Sequence, residues 1–234
     1  CHISTKESVE LLRKAKERGV RATGETGPHY LMFTDMDLEE NGSWKMNPPI
    51  RAAEDREALI RGIQDGTIDC LITDHAPHSA EEKSKGLAQS SFGIVGLETA
   101  FPSMLHNMVL RNPLDREEER VDRREAKANA SEILAEGGKT VHGAISLYRL
   151  LELMCTKPRE IFPIRGPKYI EDGAEADIAV LDLDSVYKVD PESFYTKGRS
   201  TLFAAQEVQG RVLKTFYQGR EVYDSEKGII EASN

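Results

Sequence analysis

The stretch Ile68-Asp69-Cys70-Leu71-Ile72-Thr73-Asp74-His75-Ala76-Pro77-His78 sets an apolar, β-prone run directly against a carboxylate and two imidazoles. Ile68, Cys70, Ile72 and Asp74 share one parity, so an extended chain aims all four at one face. A carboxylate closing a buried apolar row is costly unless a cation or a hydrogen-bond donor compensates it. Pro77 lacks a backbone donor and ends the strand, leaving His75 and His78 at its rim. Acid and imidazoles at the C-terminal lip of a buried strand suit a metal or proton-transfer site. The bland alternative is an aspartate that caps a turn beside two surface histidines, and the strand alone does not separate the two.

Upstream, strand and helix alternate. Cys1-His2-Ile3 reads as the end of a strand, and Ser4-Thr5-Lys6-Glu7 has capping-box spacing with Ser4 as N-cap. Val9, Leu11, Leu12 and Ala15 then give an apolar helical face, with Gly19 placed to close it. Residues 20–26 read as a short strand ended by Gly27-Pro28. A long connection over 31–50 holds Trp44 and Asn47-Pro48-Pro49, where consecutive prolines keep Asn47 extended. A long loop after a strand of a βα fold usually carries function. Residues 52–65 form a second amphipathic helix, with Leu59, Ile60 and Ile63 inward and Gly66 at its end, and the opening strand at 68–74 follows. This rhythm predicts an α/β fold with parallel strands.

Beyond His78 a polar stretch, 79–91, leads into Phe92-Gly93-Ile94-Val95-Gly96 and reads as a lid hinged at its glycines or as a surface excursion. Residues 97–110 read as helix, 111–138 as a solvated helix or insertion of mixed charge, and 146–155 as an amphipathic helix covering the sheet. From about 172 the pattern becomes short strands between glycine turns. One strand covers 177–184, two short ones surround a turn in 208–219, and a third is Arg220-Glu221-Val222-Tyr223.

Composition narrows the function classes. Of 234 residues, 30% are charged and 39% hydrophobic, as in ordinary globular chains, and the net charge of −9 disfavours binding to nucleic acid or anionic membranes. There is no apolar run of membrane-spanning length and no signal segment. Three scattered cysteines fit a reducing cytoplasm better than a disulfide framework. The first residues start inside an element and without an initiator methionine, so the chain is expected to be the later part of a longer protein.

A metal hydrolase built on a βα barrel takes its ligands from the ends of different strands on one face. His2 and Asp74 both meet that description. The words around them, His2-Ile3-Ser4-Thr5-Lys6-Glu7-Ser8, Glu25-Thr26-Gly27-Pro28-His29-Tyr30-Leu31, Met46-Asn47-Pro48-Pro49-Ile50-Arg51, Asp65-Gly66-Thr67-Ile68-Asp69, Thr73-Asp74-His75-Ala76-Pro77-His78 and Phe92-Gly93-Ile94-Val95-Gly96-Leu97-Glu98-Thr99, stand in one order. Together they resemble the C-terminal part of class I bacterial dihydroorotases of the amidohydrolase superfamily.

The resemblance implies the later part of a TIM-like (β/α)8 barrel over 1–165, with a charged insertion near 111–140. It also implies a small terminal β-sandwich unit over 166–234, completed by an N-terminal segment. It implies zinc, two ions in the full enzyme, with His2 as a ligand of one and Asp74 as a ligand of the other and as the catalytic proton carrier. Asn47, His78 and the Phe92–Gly93 backbone hold the substrate, while His29 and His75 support the site or the fold. The reaction implied is the reversible interconversion of dihydroorotate and N-carbamoyl-L-aspartate. The partners implied are that small molecule and, as assembly, a homodimer or aspartate transcarbamoylase. The remaining ligands and the arginine expected to grip the substrate carboxylate are absent from these residues, so the isolated chain is expected to be inactive. Gly27-Pro28-His29-Tyr30 also departs from the commoner Thr-Pro-His-His. The alternatives are an allantoinase or hydantoinase type of cyclic amidohydrolase, and a non-catalytic scaffold for aspartate transcarbamoylase.

Overall fold

The computed structural model describes residues 2–114 and 143–231. Most of the charged insertion expected near 111–140 lies outside the described residues, as does Cys1.

Helix α1 (Lys6–Glu17) is capped by Thr5, not Ser4. Thr5 has the extended backbone a cap needs, and its Oγ1 accepts from the Ser8 N–H at 3.2 Å, whereas Ser4 is buried. Gly19, at φ +76, follows the helix as expected. Val9 and Leu12 face the core, but Leu11 is 68% exposed because it lies one position off their stripe.

Strand β1 (Glu25–Thr26) is shorter than the 20–26 reading. Its Glu25 carbonyl accepts the Ile3 N–H at 2.8 Å, and the Thr26 hydroxyl donates to the Ile3 carbonyl at 2.7 Å. Helices α2 (Pro28–Met32) and α3 (Ala53–Gln64) lead to β2 (Cys70–Leu71), which pairs parallel with β1 in the register Glu25 to Cys70 and Thr26 to Leu71. β2 is also shorter than the 68–74 expected. The extended run fails at Asp74, whose φ of +48 is left-handed, so the parity from Ile68 does not carry through to it. A parallel bridge between His75 and Ile94 continues the series. Residues 2–3, β1, β2 and the bridge thus bring chain ends from distant stretches to one lip.

Two short helices follow, α4 (Ala80–Lys83) and α5 (Gly86–Gln89), and then α6 (Ala100–Met104), which runs on as a π-helical turn over Leu105–Val109. α7 (Leu147–Leu151) continues as a second π-helical turn into α8 (Lys157–Ile161). As the amphipathic pattern predicted, this segment covers the sheet. Leu147, Leu150 and Leu153 are buried, and the Arg149 guanidinium donates to the Ile63 and Ile68 carbonyls at 3.3 and 3.4 Å. The core joins these helices to Leu59, Ile60, Ile63, Ile68 and Ile94, each of which contributes roughly 1.5–3 kcal/mol by its burial.

The C-terminal part is an antiparallel sheet in the order β3 (Ile178–Lys188), β4 (Glu207–Tyr217), β5 (Arg220–Asp224), β6 (Gly228–Ile229). Where two short strands around a turn were expected in 208–219, β4 is one strand. Gly210 does not turn the chain. At φ +98 it lets the strand pass so close to the π-helical turn that a Cβ there would lie 2.6 Å from Leu105 Cδ2. The turn comes later, at Gln218-Gly219, both with positive φ. No helix among the described residues is long and apolar enough to cross a membrane.

Candidate active site

Asp74 sits where the chain leaves the sheet, and two imidazoles flank it. His2 Nε2 lies 3.1 Å from Asp74 Oδ1, and His29 Nε2 lies 3.7 Å from Asp74 Oδ2. His2 and Asp74 both have left-handed backbones, φ +50 and +48, which residues other than glycine seldom adopt. The spatial expectation therefore holds: residues 2 and 74 open on one mouth.

Glu25 was not foreseen. The pairing of Ile3 with β1 brings its Oε1 to 3.0 Å from His2 Nδ1. With Glu25 against Nδ1, Nε2 is the ring nitrogen that faces Asp74. A lone pair 3.1 Å from a carboxylate oxygen is unfavourable unless a proton or a cation lies between them. Two donors about 2.1 Å from one zinc and tetrahedrally disposed lie roughly 3.4 Å apart, so this nitrogen and oxygen are near enough to share one ion as well as to serve the two ions the resemblance implies. Among the described residues no group of three or more His, Cys, Asp and Glu side chains is arranged to hold a metal.

His29 is 1% exposed, and its Nε2 has no hydrogen-bond partner. Burial, helped by His2, pushes its pKa down to about 3, so the ring is neutral. Tyr30 follows it. Its hydroxyl donates to the Pro48 carbonyl at 2.9 Å, and burial, with Asp74 nearby, raises its pKa. Tyr30 thereby ties the Asn47-Pro48 segment to the Asp74 end; Asn47 itself is exposed.

The other expected contact residues meet a few steps along. His78 Nε2 is 2.9 Å from the Phe92 carbonyl, and its Nδ1 is 3.4 Å from Glu82. Phe92 is 57% exposed beneath the Lys45 ammonium, which stands 4.4 Å from the ring centre. Gly93, at φ +131, donates its N–H to the Lys45 carbonyl at 2.9 Å, and a Cβ there would lie 2.5 Å from Ala76 Cβ. His78, Phe92 and Gly93 are thus together, and Lys45 links them to the segment that carries Asn47. His75 serves the fold. Its Nδ1 accepts from the Gly96 and Leu97 N–H groups at 3.3 and 3.1 Å.

The polar stretch 79–91 folds as α4 and α5. Ser79 and Glu82 form a capping box over α4, which anchors Lys83 in the interior. Within Glu81-Glu82-Lys83-Ser84-Lys85 nothing marks that one lysine as buried, and it went unforeseen.

The chain matches the Amidohydrolase family over residues 1–222. A dihydroorotase of Listeria innocua is 43% identical over 225 residues, covering 96% of this chain and 45% of the relative. A dihydroorotase of Brevibacillus brevis is 41% identical over 227 residues, covering 96% and 46%. Among solved structures, the L-hydantoinase (dihydropyrimidinase) from Arthrobacter aurescens matches with a TM-score of 0.76 and 30% identity, over 98% of this chain and 45% of that one. A D-hydantoinase matches with a TM-score of 0.77, 97% of this chain and 45% of that one; at 17% identity it bears on the fold alone. The chain spans about half the length of the proteins it matches.

Proposed function

The chain belongs to the amidohydrolase family, and from that premise we propose that it carries part of the active site of a zinc-dependent cyclic amide hydrolase. The reaction is the reversible interconversion of dihydroorotate and water with N-carbamoyl-L-aspartate. The observation that carries this reading is the approach of His2 Nε2 to Asp74 Oδ1 at 3.1 Å, with Glu25 holding the far nitrogen of the same ring.

In this reading His2 and Asp74 each contribute one donor to zinc. When bound, the metal makes water acidic enough to act as a nucleophile near neutral pH and polarises the ring carbonyl. Asp74 takes the proton of the attacking water and passes it to the ring nitrogen as the C–N bond breaks, so one water is consumed and one carboxylate appears. Asn47, His78 and the Phe92–Gly93 peptide hold the anionic ring. His78 and the Phe92 carbonyl hold each other at 2.9 Å, so a ligand exchanges for one of them. Residues 1–165 form the later part of a (β/α)8 barrel, and 166–234 a β unit completed by an earlier segment. Assembly as a homodimer, or with aspartate transcarbamoylase, belongs to the same reading and is measured by light scattering.

The test uses the natural polypeptide carrying these residues. It turns over dihydroorotate, loses activity to a chelator and regains it with zinc; Asp74→Asn lowers kcat by about 100- to 10,000-fold with the fold intact. An Asp74→Asn protein as active as its parent contradicts the assignment. The 30% identical L-hydantoinase supports a second reading, hydrolysis of hydantoin-type rings. The higher identity to dihydroorotases, 41–43%, favours dihydroorotate, and relative kcat/KM on the two rings decides.

A further inference from the structure

Lys83 ends α4 with a side chain only 8% exposed. Its ammonium donates to the carbonyls of Lys45 (3.0 Å), Ser91 (2.8 Å) and Gly93 (2.7 Å). All three donors of a lysine are thereby used, and all on neutral acceptors. Removing an ammonium from water without a carboxylate beside it is costly, and a methionine would fill similar space without that cost. The charge accomplishes what methionine cannot: it draws three carbonyls from two separate segments to one point. One belongs to Lys45, two residues before Asn47. The other two flank Phe92, whose own carbonyl is held by His78.

The neighbouring contacts close the knot. The Lys45 carbonyl also accepts the Gly93 N–H at 2.9 Å, and the Lys83 carbonyl accepts the Ser90 hydroxyl at 3.1 Å. Gly42 leaves room for that packing, since a Cβ there would lie 2.0 Å from the Lys83 carbonyl oxygen. Burial and the Lys45 charge pull the Lys83 pKa down to about 8, the mark of the desolvation this arrangement tolerates.

We propose that Lys83 is a positioning residue for substrate, fixing Asn47, His78 and the Phe92–Gly93 peptide as a single edge of the site. Lys83 touches no ligand itself and acts through those groups. The proposal rests on the function proposed above, so turnover of dihydroorotate by the unmodified natural polypeptide is measured first. Its absence counts against the function alone, and the clasp is then read from hydrogen exchange at the Gly93 N–H, which speeds up at least about tenfold in Lys83→Met.

With turnover present, Lys83→Met raises KM about tenfold or more while kcat stays within about threefold, the pattern of lost ground-state and transition-state binding alike. Zinc content and the pH profile of kcat stay as in the parent, since the ligands and Asp74 are untouched. Lys83→Gln, which still offers two donors, raises KM less than Lys83→Met but by at least about threefold, and serves in its place if that protein does not fold. A folded Lys83→Met or Lys83→Gln protein with KM within twofold of the parent overturns the proposal, as does a loss confined to kcat or to zinc content.

Discussion

Glu25 decides which nitrogen of His2 is available. With Nδ1 held at 3.0 Å, the ring presents Nε2 to the mouth in one orientation. Glu25→Ala is therefore expected to weaken zinc binding by about 10- to 100-fold, read by competition with a chelating dye. An unchanged affinity shows that Glu25 is a bystander. His106 offers a test away from the site. Burial, aided by Arg111, pushes its pKa down to about 4 from the ordinary 6.5, and Nδ1 has no partner. The unfolded chain thus takes up the proton first, so stability is whole above pH 6.5 and falls as pH drops towards 4. His106→Leu is expected to narrow the gap between urea midpoints at pH 7.5 and pH 5, and an unchanged gap contradicts the assignment. Neither Glu25 nor Lys83 was legible from its neighbours in sequence. Each acquires its role from a partner brought by register or packing, across 23 residues for His2 and Glu25 and 38 for Lys45 and Lys83.

Helices announced themselves better than strands did. The apolar spacing of α3 and the glycines after α1 and α3 read correctly, because caps and periodicity are local. The cap of α1 shifted by one residue, since Ser4 and Thr5 are both capable and only backbone geometry chooses. Thr5→Ala is expected to cost about 1 kcal/mol in chemical denaturation, the usual worth of a side-chain cap. β4 shows why glycine misleads: the same letter serves a turn and a close approach. Gly219, at φ +75, has open space where its Cβ would be, whereas Gly210, at φ +98, has Leu105 and Phe101 there. Gly219→Ala is expected to cost about 1–2 kcal/mol from backbone strain alone, and Gly210→Ala more than that. Equal costs show that β4 does not need the close approach.

Across the molecule, the ordered motifs were enough to bring residues 2 and 74 to one lip, because parallel strands deliver their ends to the same side. In the fold, His78, Phe92 and Gly93 meet beside the segment carrying Asn47. The shortness of β1 and β2 was not legible, since no residue type within 20–26 or 68–74 signals where the parallel pairing begins and stops. The shared mouth is tested most directly by anomalous diffraction at the zinc edge on crystals of the natural polypeptide. The expected map holds zinc within about 2.0–2.2 Å of His2 Nε2 and of an Asp74 oxygen. Zinc bound elsewhere, with His2 and Asp74 hydrogen-bonded only to protein, contradicts the assignment.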